Sequence, residues 1–161
     1  AVPGGALKSR SIEETADKDE VAQSKRPNKM PSAWADEVDT ELTLGTKPGL
    51  KYDEEVLRVK AGTKVKLTFE NNDDMLHNLV IIKQGEAIET VTKMSFELGL
   101  KGEEMNYVPK TDLVLYHTGI LQPQSAETLY FEAPDEPGAY RYVCTFPGHA
   151  MVMRGSLIVE K

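Results

Sequence analysis

One cysteine, three histidines and one tryptophan are all that this 161-residue chain holds of those residue types. A single cysteine excludes an internal disulfide and says little by itself about redox compartment. Basic residues are outnumbered, 19 Lys+Arg against 26 Asp+Glu, for a net charge of -7. That balance removes the basic face that phosphate contacts need and argues against nucleic acid as a partner. No run of about 18 apolar residues occurs, so nothing reads as a spanning helix. No signal-peptide pattern shows either, and Ala1-Val2-Pro3-Gly4-Gly5 fits a mature end or a cut from a longer chain. With 40% hydrophobic and 28% charged residues, the composition is that of a soluble globular domain long enough for a real core.

The chain divides near residue 38. Residues 1–38 include "KSRSIEETADKDEVAQSKRPNKMP", which mixes charges of both signs with few large apolar side chains. Such a stretch buries too little surface to offset its ordering entropy, so it reads as a charged, poorly ordered tail or linker. Trp34, in "PSAWADEV", marks where the tail would dock. Residues 39–161 read as one domain. "TELTLGT", "EVLRVKAG" and "TKVKLTFENN" alternate polar and apolar residues, while "HNLVIIK" is the near-continuous apolar run of a strand buried on both faces. "DLVLYHT", "AETLYFEA", "AYRYVCTF" and "GSLIVEK" bring the set to about eight strands, punctuated by turn clusters such as Asn71-Asn72-Asp73-Asp74 and Asp135-Glu136-Pro137-Gly138. This pattern predicts an all-β Greek-key sandwich. Within residues 86–106, "AIETVTKMSFELGL" spaces its apolar residues helically and predicts one inserted helix.

The only cysteine falls in "VCTFPGHAMVMRG", where a Pro-Gly turn separates Cys144 from His149 and two methionines follow. Thiolate, imidazole and thioether together suit a soft metal ion. One Cys and two His with a weak axial Met is the ligand set of copper that carries electrons. The loop supplies the Cys, one His and a choice between Met151 and Met153. His77 opens the buried strand just after a turn, at one end of the sandwich, which makes it a better second histidine than His117, late in its own strand and read as solvated.

These residues resemble the C-terminal copper loop of the azurin branch of the cupredoxins: Cys, four residues, His, three residues, Met, a basic residue and Gly. Upstream, "MLHN" is similar to the Met-Gly-His-Asn that brings the first histidine ligand, and "LGLKGEEMNYVPKTDLVLYHTGIL" to the family's flap and the strand after it. The likeness covers about residues 39–161, and the loop spacing places the chain nearer azurin or auracyanin than plastocyanin. It implies one type 1 copper ion, with His77, Cys144 and His149 as equatorial ligands and Met153 as the axial one. It also implies that Asn78 ties its strand to the Cys loop, and that the backbone N–H groups of Asn78 and Phe146 point at the sulfur. Three departures stand out. Leu76 replaces the Gly whose carbonyl serves azurins as a distant fifth group, which leaves the axial geometry open. The azurin disulfide is absent. Leu79 replaces an aromatic.

The expected function is one-electron transfer between redox partners through Cu(I)/Cu(II) cycling. Catalytic copper needs an open position for substrate, and a second copper centre needs more histidines than the one left over, so no enzyme activity is expected. Two other readings are an electron-entry domain of a larger oxidoreductase and a copper-handling (chaperone or storage) protein. The expected partner is a redox protein, a cytochrome or an oxidoreductase, met through a weak apolar patch around His149 formed by Met75, Leu76, Pro147, Ala150 and Met151. The family resemblance places the protein in the periplasm or elsewhere outside the cytoplasm. The tail would then serve as the link to another domain or to a membrane tether.

Overall fold

The computed structural model describes residues 25–161, so the expected tail lies outside the described residues as far as residue 24. Ten strands form three sheets among the described residues. β1 (Thr40–Leu44), β5 (Lys64–Asn71) and β8 (Ser125–Glu132) form one sheet, in the order β1-β5-β8. The second has the order β4-β10-β9-β6-β7, made of β4 (Val56–Lys60), β10 (Arg154–Glu160), β9 (Gly138–Val143), β6 (Val80–Ile82) and β7 (Val114–His117). β2 (Thr46–Lys47) and β3 (Lys51–Tyr52) make a small ribbon. Eight strands are the expected ones, and the ribbon is the addition.

Alternation decides what each sheet buries. β5 turns Val65, Leu67, Phe69 and Asn71 inward and its other residues toward solvent, and β10 does the same with Gly155, Leu157 and Val159. The apolar side chains among these meet Leu79, Ile81, Leu129, Phe131, Tyr140 and Tyr142 in the core between the sheets. Each fully buried aliphatic or aromatic side chain there stabilises the fold by about 1.5–3 kcal/mol. β6 is buried on both faces, as its apolar run requires. Ile81 joins the core between the sheets, while Val80 and Ile82 belong to a second cluster with Ala87, Ile88 and Val91.

Those last three residues lie on the inserted helix, α1 (Ala87–Phe96), which is shorter than residues 86–106. Beyond it the chain continues as two 3-10 turns, Gly99–Lys101 and Glu103–Met105. Gly99 adopts φ +56°, which an α-helix cannot contain, so the helical spacing of the sequence runs on past the backbone that could use it.

Residues 25–28 close an open side of the sandwich. The Lys25 carbonyl accepts from His117 N–H at 2.6 Å and the Pro27 carbonyl from Tyr130 N–H at 2.8 Å, so the segment serves one strand of each sheet. Arg26 and Asn28 both hydrogen-bond the Glu127 carboxylate. Burial would raise the Glu127 pKa, but these partners and the Gly119 N–H outweigh it and hold the carboxyl below its ordinary value. Trp34 is buried, edge-on to Tyr130 with ring centroids 6.4 Å apart.

Candidate metal centre

Strand register brings the distant histidine to the cysteine. β6 runs antiparallel to β9 with Val80 opposite Val143. The residues just before Val80 therefore lie beside those just after Val143, which sets His77 and Asn78 next to Cys144 and Thr145. The second edge of the loop is fixed by β10, since Val143 pairs with Arg154 and Cys144 N–H donates to the Met153 carbonyl at 3.0 Å. Inside the loop, the N–H groups of His149 and Met153 donate to the carbonyls of Phe146 and His149, both at 2.9 Å, and Gly148 supplies a φ of +86° at the turn. Arg154 then ties the loop to α1 through the Ala150 carbonyl, Thr92 and Glu89.

The donor atoms converge. Cys144 Sγ lies 3.8 Å from His77 Nδ1 and 3.6 Å from His149 Nδ1. One ligand atom from each of His77, Cys144 and His149 falls within 4.8 Å of the others, and all three residues are buried. Met153 is fully buried in the core cluster that contains Cys144, whereas Met151 is 69% exposed. His117 does not join this group. It is half-buried rather than solvated, its Nδ1 lies 2.8 Å from the Thr118 carbonyl, and burial holds its pKa below the ordinary value.

Burial keeps two of the donors, Cys144 and His149, uncharged until a metal binds. Burial, and then His77, depress the His149 pKa, so its imidazole is neutral at pH 7. Burial pushes the Cys144 thiol up to about 11, partly offset by backbone hydrogen bonds from Asn78 and Phe146. Those two donors are the pair implied by the family likeness. With no charge of its own at neutral pH, the thiol needs a metal to drive off its proton. The trio therefore fits a soft or borderline ion such as copper, and buried Met153 is the thioether at hand.

Asn78 joins the two halves of the site. Its side chain donates to Thr145 Oγ1 and the Asn106 carbonyl, both at 2.9 Å, and accepts from Thr145 N–H at 2.8 Å. One residue escaped sequence reasoning: Asp73 Oδ2 lies 2.8 Å from His77 Nε2. The turn "NNDDML" offers Asp73 and Asp74 equally, and no periodic rule says which carboxylate turns inward. The hydrogen bond with His77 is the main cause holding the Asp73 carboxyl below its ordinary pKa.

The surface around the site departs from expectation in two respects. His149 is only 3% exposed, and Ala150 packs inward with Val143 and α1. The exposed apolar side chains on the two loops are Met75, Pro147, Met151 and Val152. A groove of about 440 Å³ opens beside them, with Phe96, Tyr107, Phe146, Pro147 and Met151 among its lining residues.

Comparison with known proteins agrees with this geometry. The family model "Copper binding proteins, plastocyanin/azurin family" matches residues 38–160. Auracyanin-A of Chloroflexus aurantiacus is 34% identical over 123 residues, covering 74% of each chain. Its structure, described as that of a "blue" copper protein, superposes with a TM-score of 0.68 at 29% identity, over 75% of this chain and 99% of that one. Dithionite-reduced auracyanin from Roseiflexus castenholzii gives a TM-score of 0.68 at 29% identity, over 78% of this chain and all (100%) of that one.

Proposed function

The chain belongs to the plastocyanin/azurin family of copper-binding proteins, and we propose that His77, Cys144, His149 and Met153 hold its one copper ion. The protein is a mononuclear type 1 copper protein that carries single electrons between redox partners. Bound copper supplies the Cu(I)/Cu(II) couple. The residues supply a rigid enclosure, because donors from two strand-anchored segments leave little to rearrange when the charge changes. The observation that carries the ligand assignment is the convergence of one thiol and two imidazole nitrogens within 4.8 Å in a buried pocket. Burial of His77, Cys144, His149 and Met153 opposes the copper-handling reading, which calls for accessible donors.

The proposed domain, residues 39–161, agrees with the extent of the family match at 38–160. We assign partner contact to the apolar surface bearing Met75, Met151 and Val152, with a cytochrome or an oxidoreductase as the kind of partner. We place the protein outside the cytoplasm, which cell fractionation tests. No helix among the described residues is long and apolar enough to cross a membrane.

The test of the ligand set is titration of the purified protein with Cu(II). An intense visible charge-transfer band is expected at one equivalent, and Cys144→Ser should abolish it. A band that survives that substitution removes Cys144 from the site.

A further inference from the structure

We propose that Asp73 is a positioning residue for the copper site: its carboxylate accepts the Nε2–H of His77 and so keeps Nδ1 bare and facing the Cys144 sulfur. This inference rests on the ligand set proposed above. A carboxylate accepts hydrogen bonds and donates none, so the nitrogen 2.8 Å from Asp73 Oδ2 must carry the proton. The other ring nitrogen is then the lone-pair donor, and it lies 3.8 Å from Cys144 Sγ. His77 is fully buried, so no water replaces the contact.

The backbone that carries this carboxylate is itself held in place. Asp73 N–H donates to Asn71 Oδ1 at 3.0 Å, and the buried Asn71 side chain donates to the Met75 carbonyl at 2.8 Å and the Leu121 carbonyl at 3.0 Å. His77 N–H and carbonyl pair with Leu121 on the far side. The turn is therefore clamped at both ends, and Asp73 has little room to swing away. A neutral acceptor in its place would orient the ring equally well. A carboxylate adds negative charge one hydrogen bond from the liganding imidazole, which raises ligand basicity and favours the more positive oxidation state. Asp73 thus both fixes the tautomer and holds the reduction potential down.

Two substitutions separate these effects. Asp73→Asn keeps an acceptor of the same shape and removes the charge, while Asp73→Ala removes both. The expected result for Asp73→Asn is a retained visible band, with the Cu(II) affinity falling about tenfold relative to Cu(I). For one electron that raises the midpoint by about 59 mV. Asp73→Ala should lose more Cu(II) affinity, toward about 100-fold. A second readout needs no copper. Long-range proton–nitrogen NMR of the apoprotein should show His77 as the Nε2–H tautomer in the wild type, even if Asp73→Ala fails to fold. Potentials unchanged in both variants, or an Nδ1–H tautomer, overturn the inference. A wild type that takes up copper without the band defeats the ligand set instead, and the tautomer still decides the role of Asp73.

Discussion

The two arms of the metal pocket are built by different means. The arm from Cys144 to Met153 is local: three donor types and a turn within ten residues, closed by backbone hydrogen bonds among its own members and the strands at its ends. The His77 arm is assembled at long range. Its position depends on β6 pairing with β9, on Leu121, and on side chains that reach across the fold, Asn71 to Leu121 and Asn78 to Thr145 and Asn106. A local arm keeps its spacing wherever the chain goes. A non-local arm exists only when the sandwich has closed, so copper uptake should depend more steeply on folding at the His77 side.

The largest expected break in this contrast is Asn78→Ala. It severs the tie between the arms and leaves Thr145 N–H and the Asn106 carbonyl without their partner, both within the fold. Such unsatisfied groups cost about 1–3 kcal/mol each, so stability should fall by about 2–6 kcal/mol in urea denaturation of the apoprotein. A loss under about 0.5 kcal/mol would mean that strand pairing alone holds the arms together.

Met153→Leu tests the inner face of the local arm. The swap nearly conserves volume, so the expected stability change is under about 1.5 kcal/mol. Removing the thioether should nonetheless move the reduction potential and the visible spectrum of the copper-loaded protein, and an unchanged potential would take Met153 out of the site. Met151→Lys tests the outer face and should have the smallest effect on the fold. At 69% exposure its stability change should stay within about 0.5 kcal/mol, with the spectrum intact. Electron self-exchange between copies, read from NMR line broadening at partial oxidation, should slow if this surface is where redox proteins meet. Equal rates in the variant and wild type would move the docking face elsewhere.

Much of the fold was legible because alternation reports burial directly. β5 and β10 show the same inward and outward residues in sequence and structure, and the unbroken run Val80-Ile81-Ile82 signals a strand covered on both faces. The helix was legible in its face and not in its end. Apolar spacing continues through Leu100, yet that residue lies exposed beyond a glycine in the left-handed region. The surface near the site was the least legible part. Ala150 and His149 turn inward while Met151 and Val152 turn out, and this order follows from the hydrogen bonds of one tight loop rather than from any periodicity.

By itself the amino-acid sequence determined the donor types, the spacing of the Cys144 loop and the strands that flank it. Those are properties of neighbouring residues, and short-range covalent geometry preserves them. Only the tertiary structure decided that Asp73 rather than Asp74 faces His77, that Met153 rather than Met151 is buried, and that residues 25–28 lie along both sheets. Each of these depends on which backbone groups pair across the closed sandwich, and hydrogen bonds between residues far apart in the chain leave no repeating mark along it.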